Sequence, residues 1–273
     1  MPVMFPTTRS LTLYKDFNKD AKDMLTKNYV ESQKWKLESK FKGPRDRLFV
    51  NPTATSDGKF SVDVEYVVGQ CGAAMKATLY PDINNAGLKV TYPYKGHKVE
   101  AAVKKNGEYE VSHEFVLGGH MSSHARLVKN AVEMSLVTAV ASHCQVGCGA
   151  TYQLDGKQGC EWTAACRYAE AGRVVAVRTN KLRTYTTSVV SPIPTCPHPV
   201  VVGAEVVCGH GQGWTGTLGL ETACVLFKGN ALKARVNKNK EWAVAYIAKL
   251  ADNWTAAVTV DKNLKPGVLL THS

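Results

Sequence analysis

Lys59-Phe60-Ser61-Val62-Asp63-Val64-Glu65-Tyr66-Val67-Val68 reads as a single β-strand with two unlike faces. Successive side chains of a strand point in opposite directions, so Phe60, Val62, Val64, Tyr66 and Val68 share one side while Lys59, Ser61, Asp63 and Glu65 share the other. The same period of two runs outward in both directions. Upstream, Trp35, Leu37 and Phe41 oppose Lys34, Lys36, Glu38 and Lys40. Downstream, Leu88, Val90, Tyr92 and Tyr94 oppose Lys89 and Thr91, and Val99, Ala101 and Val103 oppose Lys98, Glu100 and Lys104. Tyr109, Val111, Phe115 and Leu117 then oppose Glu110, Ser112 and Glu114. Pro81-Asp82, Asn84-Asn85, Lys95-Gly96, Asn106-Gly107 and Gly118-Gly119 supply turn chemistry between these runs.

The middle of the chain is harder to phase. Met121 to Leu154 is rich in Ala, Val and Ser on both parities. Alternation returns with Trp162, Ala164, Cys166 and Tyr168 against Thr163 and Arg167. It continues in Leu232, Ala234 and Val236 against Lys233 and Arg235, and in Trp242, Val244, Tyr246 and Ala248 against Ala243, Ala245 and Lys249. Trp254, Ala256, Val258 and Val260 oppose Thr255, Thr259 and Asp261. The prolines of Pro192 to Pro199 predict a loop, and Gly209-His210-Gly211-Gln212-Gly213 predicts a hairpin turn. The count comes to about 18 strands with short connections.

A β-barrel of that count is too wide to fill with its own side chains, so its interior must be wet. The expected architecture is therefore an all-β membrane protein, a large transmembrane β-barrel with its charged face lining water and its apolar face meeting hydrocarbon. Trp35, Tyr66, Tyr92, Tyr94, Tyr168, Trp242 and Trp254 suit interfacial girdles. Lys34, Lys36, Lys40, Lys89, Lys98, Lys104, Arg167, Lys233 and Arg235 are the expected pore-lining cations.

Ahead of the strands lies the one convincing amphipathic helix, residues 14 to 29. Phe17, Ala21 and Met24 share a face suited to packing on a wall, while Lys15, Lys19, Lys22 and Asp23 spread over the others. Such a helix is marginal alone in water and needs a large partner surface. Asn28 could close it, since Asn tolerates the left-handed conformation at a helix end. Residues 1–31 thus form the lead-in and helix, and 32–273 the barrel.

The net charge of +11 calls for an anionic partner or solute. The lysines recur every second residue within strands instead of in runs, which favours a charged wall and argues against a nucleic-acid partner. Cys144-x3-Cys148, Cys160-x5-Cys166 and His143 fit no common zinc spacing, so neither a metal nor a cofactor is expected. No apolar run reaches the ~18 residues of a transmembrane helix, a test to which barrels are blind. His113, His120, His124, His143, His198, His210 and His272 are scattered, with no nucleophile motif or carboxylate pair beside them, so no enzymatic activity is expected.

Three stretches resemble the mitochondrial voltage-dependent anion channel (eukaryotic porin) family. They are Tyr14-x-Asp16-Phe17-x-Lys19-x-Ala21-Lys22-Asp23-x-Leu25-Thr26-Lys27-x-Tyr29, Gly87-Leu88-Lys89-Val90-Thr91-Tyr92, and Leu264-Lys265-Pro266-Gly267-Val268-Leu269-Leu270-Thr271-His272-Ser273. The resemblance implies a barrel of about 18–19 strands, the upper figure being the family's own, with the helix inside the pore. It also implies a voltage-dependent, weakly anion-selective channel of the mitochondrial outer membrane for ATP, ADP and other small anions. Lys19 and Lys27, with Lys22 beside them, match helix lysines that contact nucleotide phosphates in that family. Membrane lipid, further copies of the chain and other outer-membrane proteins are the implied partners.

This chain departs from the family pattern at three places. Asn28-Tyr29-Val30-Glu31-Ser32 replaces the glycines that follow the family's helix. No acid lies between Glu65 and Asp82 to supply the family's membrane-facing carboxylate. The chain also ends at Ser273, one strand early, which leaves either a missing strand or a matching shifted by one hairpin. Two other readings stay open: a protein-translocating barrel of the mitochondrial import-channel family, which would want acidic lumen patches, and a soluble basic β-protein binding carbohydrate or RNA.

Overall fold

The computed structural model describes residues 11–69, 71–155, 159–194, 198–211, 213–224 and 227–273. The first ten residues of the expected lead-in, Thr195 to Pro197 of the expected loop, and Gln212 of the expected turn lie outside them. The chain folds into a closed mixed β-barrel of 19 strands with one short helix. Strand β1 comprises Trp35–Ser39 and, after an interruption at Lys40, Phe41–Lys42. Strands β2 to β8 are Leu48–Thr55, Phe60–Val67, Ala74–Leu79, Gly87–Tyr94, His97–Lys104, Tyr109–Leu117 and Met121–Val128. Strands β9 to β13 are Ala131–Ala141, Cys144–Gln153, Glu161–Glu170, Arg173–Asn180 and Thr184–Ile193. Strands β14 to β19 are Val200–Gly209, Gly213–Ala223, Ala231–Asn237, Trp242–Ala251, Trp254–Asp261 and Pro266–His272.

Each strand pairs antiparallel with the next in sequence. The seam is the exception. There β1 lies parallel to β19, with Trp35 opposite Val268, Leu37 opposite Leu270 and Ser39 opposite His272. Closure of this kind leaves no exposed sheet edge, so the ladder groups of every strand find partners. The Lys-Pro-Gly strand is therefore the last of the barrel, and no further strand is needed to close it.

The polarity of the wall is inverted relative to a globular protein. Leu88, Val90 and Tyr92 are 41%, 37% and 46% exposed on the outer face of β5. All seven aromatic residues expected in girdles are exposed outward in the same way. The inner face holds Ser112, Glu114, Ser122, His124, Arg167, Ser188, Lys233 and Thr259, all buried although polar. Among the described residues no helix is long and apolar enough to cross a membrane.

Three expectations change. The helix is shorter than residues 14 to 29: a 3-10 turn over Tyr14–Asp16 precedes an α-helix of eight residues, Lys19–Thr26. The short length follows from how it is held, since wall contacts rather than its own hydrogen bonds carry its stability. Asn28 is left-handed at φ 69°, as its side-chain chemistry anticipates. Secondly, Pro192 belongs to β13, opposite Val201, and not to a loop. Near a strand end a proline forfeits few ladder bonds, so the cluster shortens the strand without preventing it. Thirdly, Met121 to Leu154 resolves into β8, β9 and β10, and the inner position Val137 of β9 is apolar because Tyr14 and Phe17 of the N-terminal segment pack on it.

Replacing Leu270 by proline would delete a ladder donor at the seam, whereas Leu270→Val keeps it. The proline variant is expected to refold poorly in detergent and to be nicked rapidly by protease, with the valine variant close to the parent. Equal protease resistance in both variants would contradict a closed seam at this register.

Candidate functional site

Residues 11 to 34 run around the inside of the wall, crossing strands nearly in order. Thr12 N donates to Gln145 Oε1 on β10 at 3.2 Å, and Tyr14 Oη bonds Thr163 Oγ1 on β11 at 2.8 Å. The Tyr14 and Phe17 rings meet at a tilt, centroids 5.6 Å apart, and pack on Val137 and Ala176. Ala21 and Met24 pack on Val190, with Val201 alongside. Phe17, Ala21 and Met24 are 1%, 2% and 6% exposed, so the expected packing face is the one that docks.

That docking is close because the wall beneath is built from small residues. A Cβ on Gly147 would lie 2.7 Å from Tyr14 Cδ2, and one on Gly219 would lie 2.7 Å from Leu25 Cδ2. A Cβ on Gly203 would collide with Met24 Sδ. At Gly267 the intruder would meet backbone, 2.5 Å from Glu31 O and 2.7 Å from Val30 O. Ala176, Ala243, Ala245 and Ala257 complete the bed at 0–5% exposure.

Polar contacts fix both ends of the helix. Asp20 in its first turn accepts from Arg167 Nη2 at 3.1 Å, and Lys15 in the preceding turn pairs with Glu114. The unpaired carbonyls of the last turn carry partial negative charge and need donors. Arg235 Nη1 supplies one to Leu25 O at 2.8 Å, Lys233 Nζ another to Lys27 O at 3.4 Å, and Thr259 Oγ1 a third to Asn28 O at 3.3 Å. Arg235 also lies 4.4 Å from the Tyr29 ring centroid. Burial pushes the Tyr29 phenol up to about 12 although Arg235 pulls it down, so the ring stays neutral.

The expected pore-lining cations all occupy the inner face, but most are answered by an acid. Lys34 pairs with Glu31 at 2.5 Å, Lys36 with Glu38 at 2.5 Å, and Lys104 with Glu108 at 2.6 Å. Lys89 and Lys98 share Glu100, each at 2.8 Å. Lys233 pairs with Glu221 at 3.3 Å, and Lys40 lies over the Phe49 ring at 5.5 Å. Arg126, which the sequence reading passed over, forks onto Glu110 at 2.8 and 2.9 Å and reaches Glu133 at 3.3 Å. Arg167, Lys233 and Arg235 are thus structural clamps on the helix as well as lumen cations.

Lys19, Lys22 and Lys27 differ. They are exposed on the helix, and their ammonium groups have no acidic partner among the described residues. Lys27 also borders a cleft of 360 Å³ between helix and wall that Asp20, Met24, His143, Arg167 and Lys233 help to line. The arrangement therefore places cations without an acidic partner on a segment whose other side is immobilised against the wall. The chain matches no protein-family model and no curated protein. What the structure defines is a class: a closed β-barrel with a charged inner face and a helix docked inside it.

The sequence reading missed the glycine bed and the long-range clamps. Glycine at an inward parity within otherwise regular strands, as at Gly147, Gly149, Gly203 and Gly219, was the available signal.

Gly147→Val suits a strand but displaces Tyr14, so trypsin should cut after Lys19, Lys22 or Lys27 faster than in the parent. Asp20→Asn strands the Arg167 side chain, 6% exposed, without its counter-charge. Hydrogen bonds to charged groups are worth roughly 1.5–3 kcal/mol, so cleavage at the same lysines is expected to rise about tenfold or more. Unchanged digestion in both variants would mean that the helix is not held by these contacts.

Proposed function

We propose that this barrel is a membrane-spanning, water-filled channel of the eukaryotic porin kind. In this reading it passes small anions, ATP and ADP among them, passively and under voltage control across the mitochondrial outer membrane. The observation that carries the reading is the inverted wall, apolar side chains exposed all round and polar ones inside. Exposed Leu, Val, Trp and Tyr in such continuity are costly in water and stable in hydrocarbon. A soluble β-protein would have the opposite arrangement.

Selectivity on this reading comes mainly from the helix. The wall pairs compensate one another and create little net field beyond the ~8 Å Debye length of physiological salt. Lys19, Lys22 and Lys27 are uncompensated where the helix narrows the lumen, so they raise the local anion concentration without trapping the solute. A nucleotide phosphate would meet them as flexible point charges, which favours transit over tight binding.

A second reading, a pore for cationic presequences, draws on Glu38, Glu100, Glu110, Glu114 and Glu133 along β1 to β9. Planar-bilayer recording of the detergent-refolded protein under a salt gradient separates the two. Anion-selective, voltage-dependent steps are expected, with Lys19→Glu/Lys27→Glu moving the reversal potential toward cation preference and lowering ATP flux. Cation selectivity with block by a presequence peptide would favour the second reading. A protein that stays soluble without detergent and gives no conductance would exclude both.

A further inference from the structure

Strands β10 and β11 carry two thiols in contact. Cys144 Sγ and Cys166 Sγ lie 3.7 Å apart on the outer face of the wall, in diagonal positions of the ladder, since Cys144 is opposite Tyr168 and Val146 opposite Cys166. Cys148 is the other diagonal neighbour of Cys166 but makes no such contact. The right-handed twist of a sheet shortens one diagonal and lengthens the other. Both sulfurs are reduced, and each is held in place by a paired strand.

The inner face of the same two segments anchors the N-terminal segment. Gln145, next to Cys144, receives the Thr12 amide, and Arg167, next to Cys166, holds Asp20. Cys144 directly follows the turn at Ser142 and His143, at the end of the strand and opposite Tyr168, the position of the wall nearest the loop.

We propose that Cys144 and Cys166 form a dithiol–disulfide couple, oxidised by low-molecular-weight disulfides, whose closure stiffens the wall segment that holds the helix. The Cys144 thiolate attacks one sulfur of the external disulfide, giving a mixed disulfide and expelling one thiolate. The Cys166 thiolate then attacks the Cys144 sulfur and expels the second. Two protein protons end on the two expelled thiols, the protein is oxidised by two electrons, and the external disulfide is reduced by the same two. Bringing the sulfurs from 3.7 Å to the ~2.05 Å of a bond takes side-chain rotation and a small slide of one strand past its neighbour. The register of β10 and β11 is then locked directly behind Gln145 and Arg167. This proposal does not depend on what the pore conducts.

The refolded full-length protein, treated with oxidised glutathione and digested without reductant, gives the test by mass spectrometry. The expected product is a crosslinked peptide pair joining Cys144 to Cys166, absent in Cys144→Ser and in Cys166→Ser. Tryptic cleavage after Lys19, Lys22 and Lys27 is expected to slow several-fold on oxidation of the parent, to recover with reductant, and to be unaffected by glutathione in either serine variant. Glutathione retained as a stable adduct on either thiol, a crosslink to Cys148 instead, or no reaction would overturn the couple. A correct crosslink with unchanged digestion would overturn its hold on the helix.

Discussion

A ring of 19 strands encloses more space than its own side chains can fill, and that constraint governs the molecule. Water enters, so half of every strand must be polar, and the apolar half is turned outward. The inner face meets this demand in two ways. From β1 to β8, charges of both signs alternate across neighbouring strands and neutralise each other, as in Lys89, Glu100 and Lys98. From β9 to β19 small residues such as Gly147, Ala176, Gly203, Gly219 and Ala245 share the inner face with Arg167, Lys233 and Arg235, and the N-terminal segment packs on them. The helix is in this sense part of the wall: it covers the small apolar residues and is clamped by the charged ones between them.

This division explains what the sequence could and could not disclose. Lys59 to Val68 was legible because its two faces meet unlike surroundings, so alternation is sharp. Met121 to Leu154 was not, because Val137 packs under Tyr14 and Phe17 and Gly147 and Gly149 lie against Tyr14, so these inner positions carry no charge. The docking face of Phe17, Ala21 and Met24 could be read from helical spacing, but the break before Lys19 could not, since it depends on Tyr14 finding the notch at Gly147. Asp20 and Arg167 are 147 positions apart, and no local pattern reveals such a pair. Lumen cations were identifiable by parity. Their division into paired, clamping and free groups was not, because it depends on which acid lies across the ladder.

The same division separates two electrostatic roles. Arg167, Lys233 and Arg235 spend their charge on the helix, binding a carboxylate and the carbonyls of its last turn. Lys19 and Lys22 lie on the helix's opposite side and Lys27 at its C-terminal end beside the cleft, and no acid among the described residues answers them. Cations on the wall therefore hold cations on the helix in the lumen, through backbone dipoles and a single aspartate. Arginine suits the clamp because its planar fork keeps charge and geometry when buried, and lysine suits the lumen because its hydrated ammonium releases partners readily.

The odd number of strands makes the first and last run in the same direction, and this sets an order of assembly. Parallel neighbours cannot be joined by a hairpin, so the pairing of Leu37 with Leu270 brings together the two ends of the barrel sequence. Every hairpin can form locally and early, whereas this one contact must wait for the rest, and such distant pairings are slow. The stretch that has to arrive on time is the link from helix to β1. Gln33 N donates to Pro266 O at 3.0 Å and Lys34 O accepts from Val268 N at 3.0 Å, while Gly267 lets Val30 and Glu31 lie flat on the final strand. The helix and the ring therefore complete one another in a single late event, and a chain caught before it would present two open edges and an uncovered bed at once.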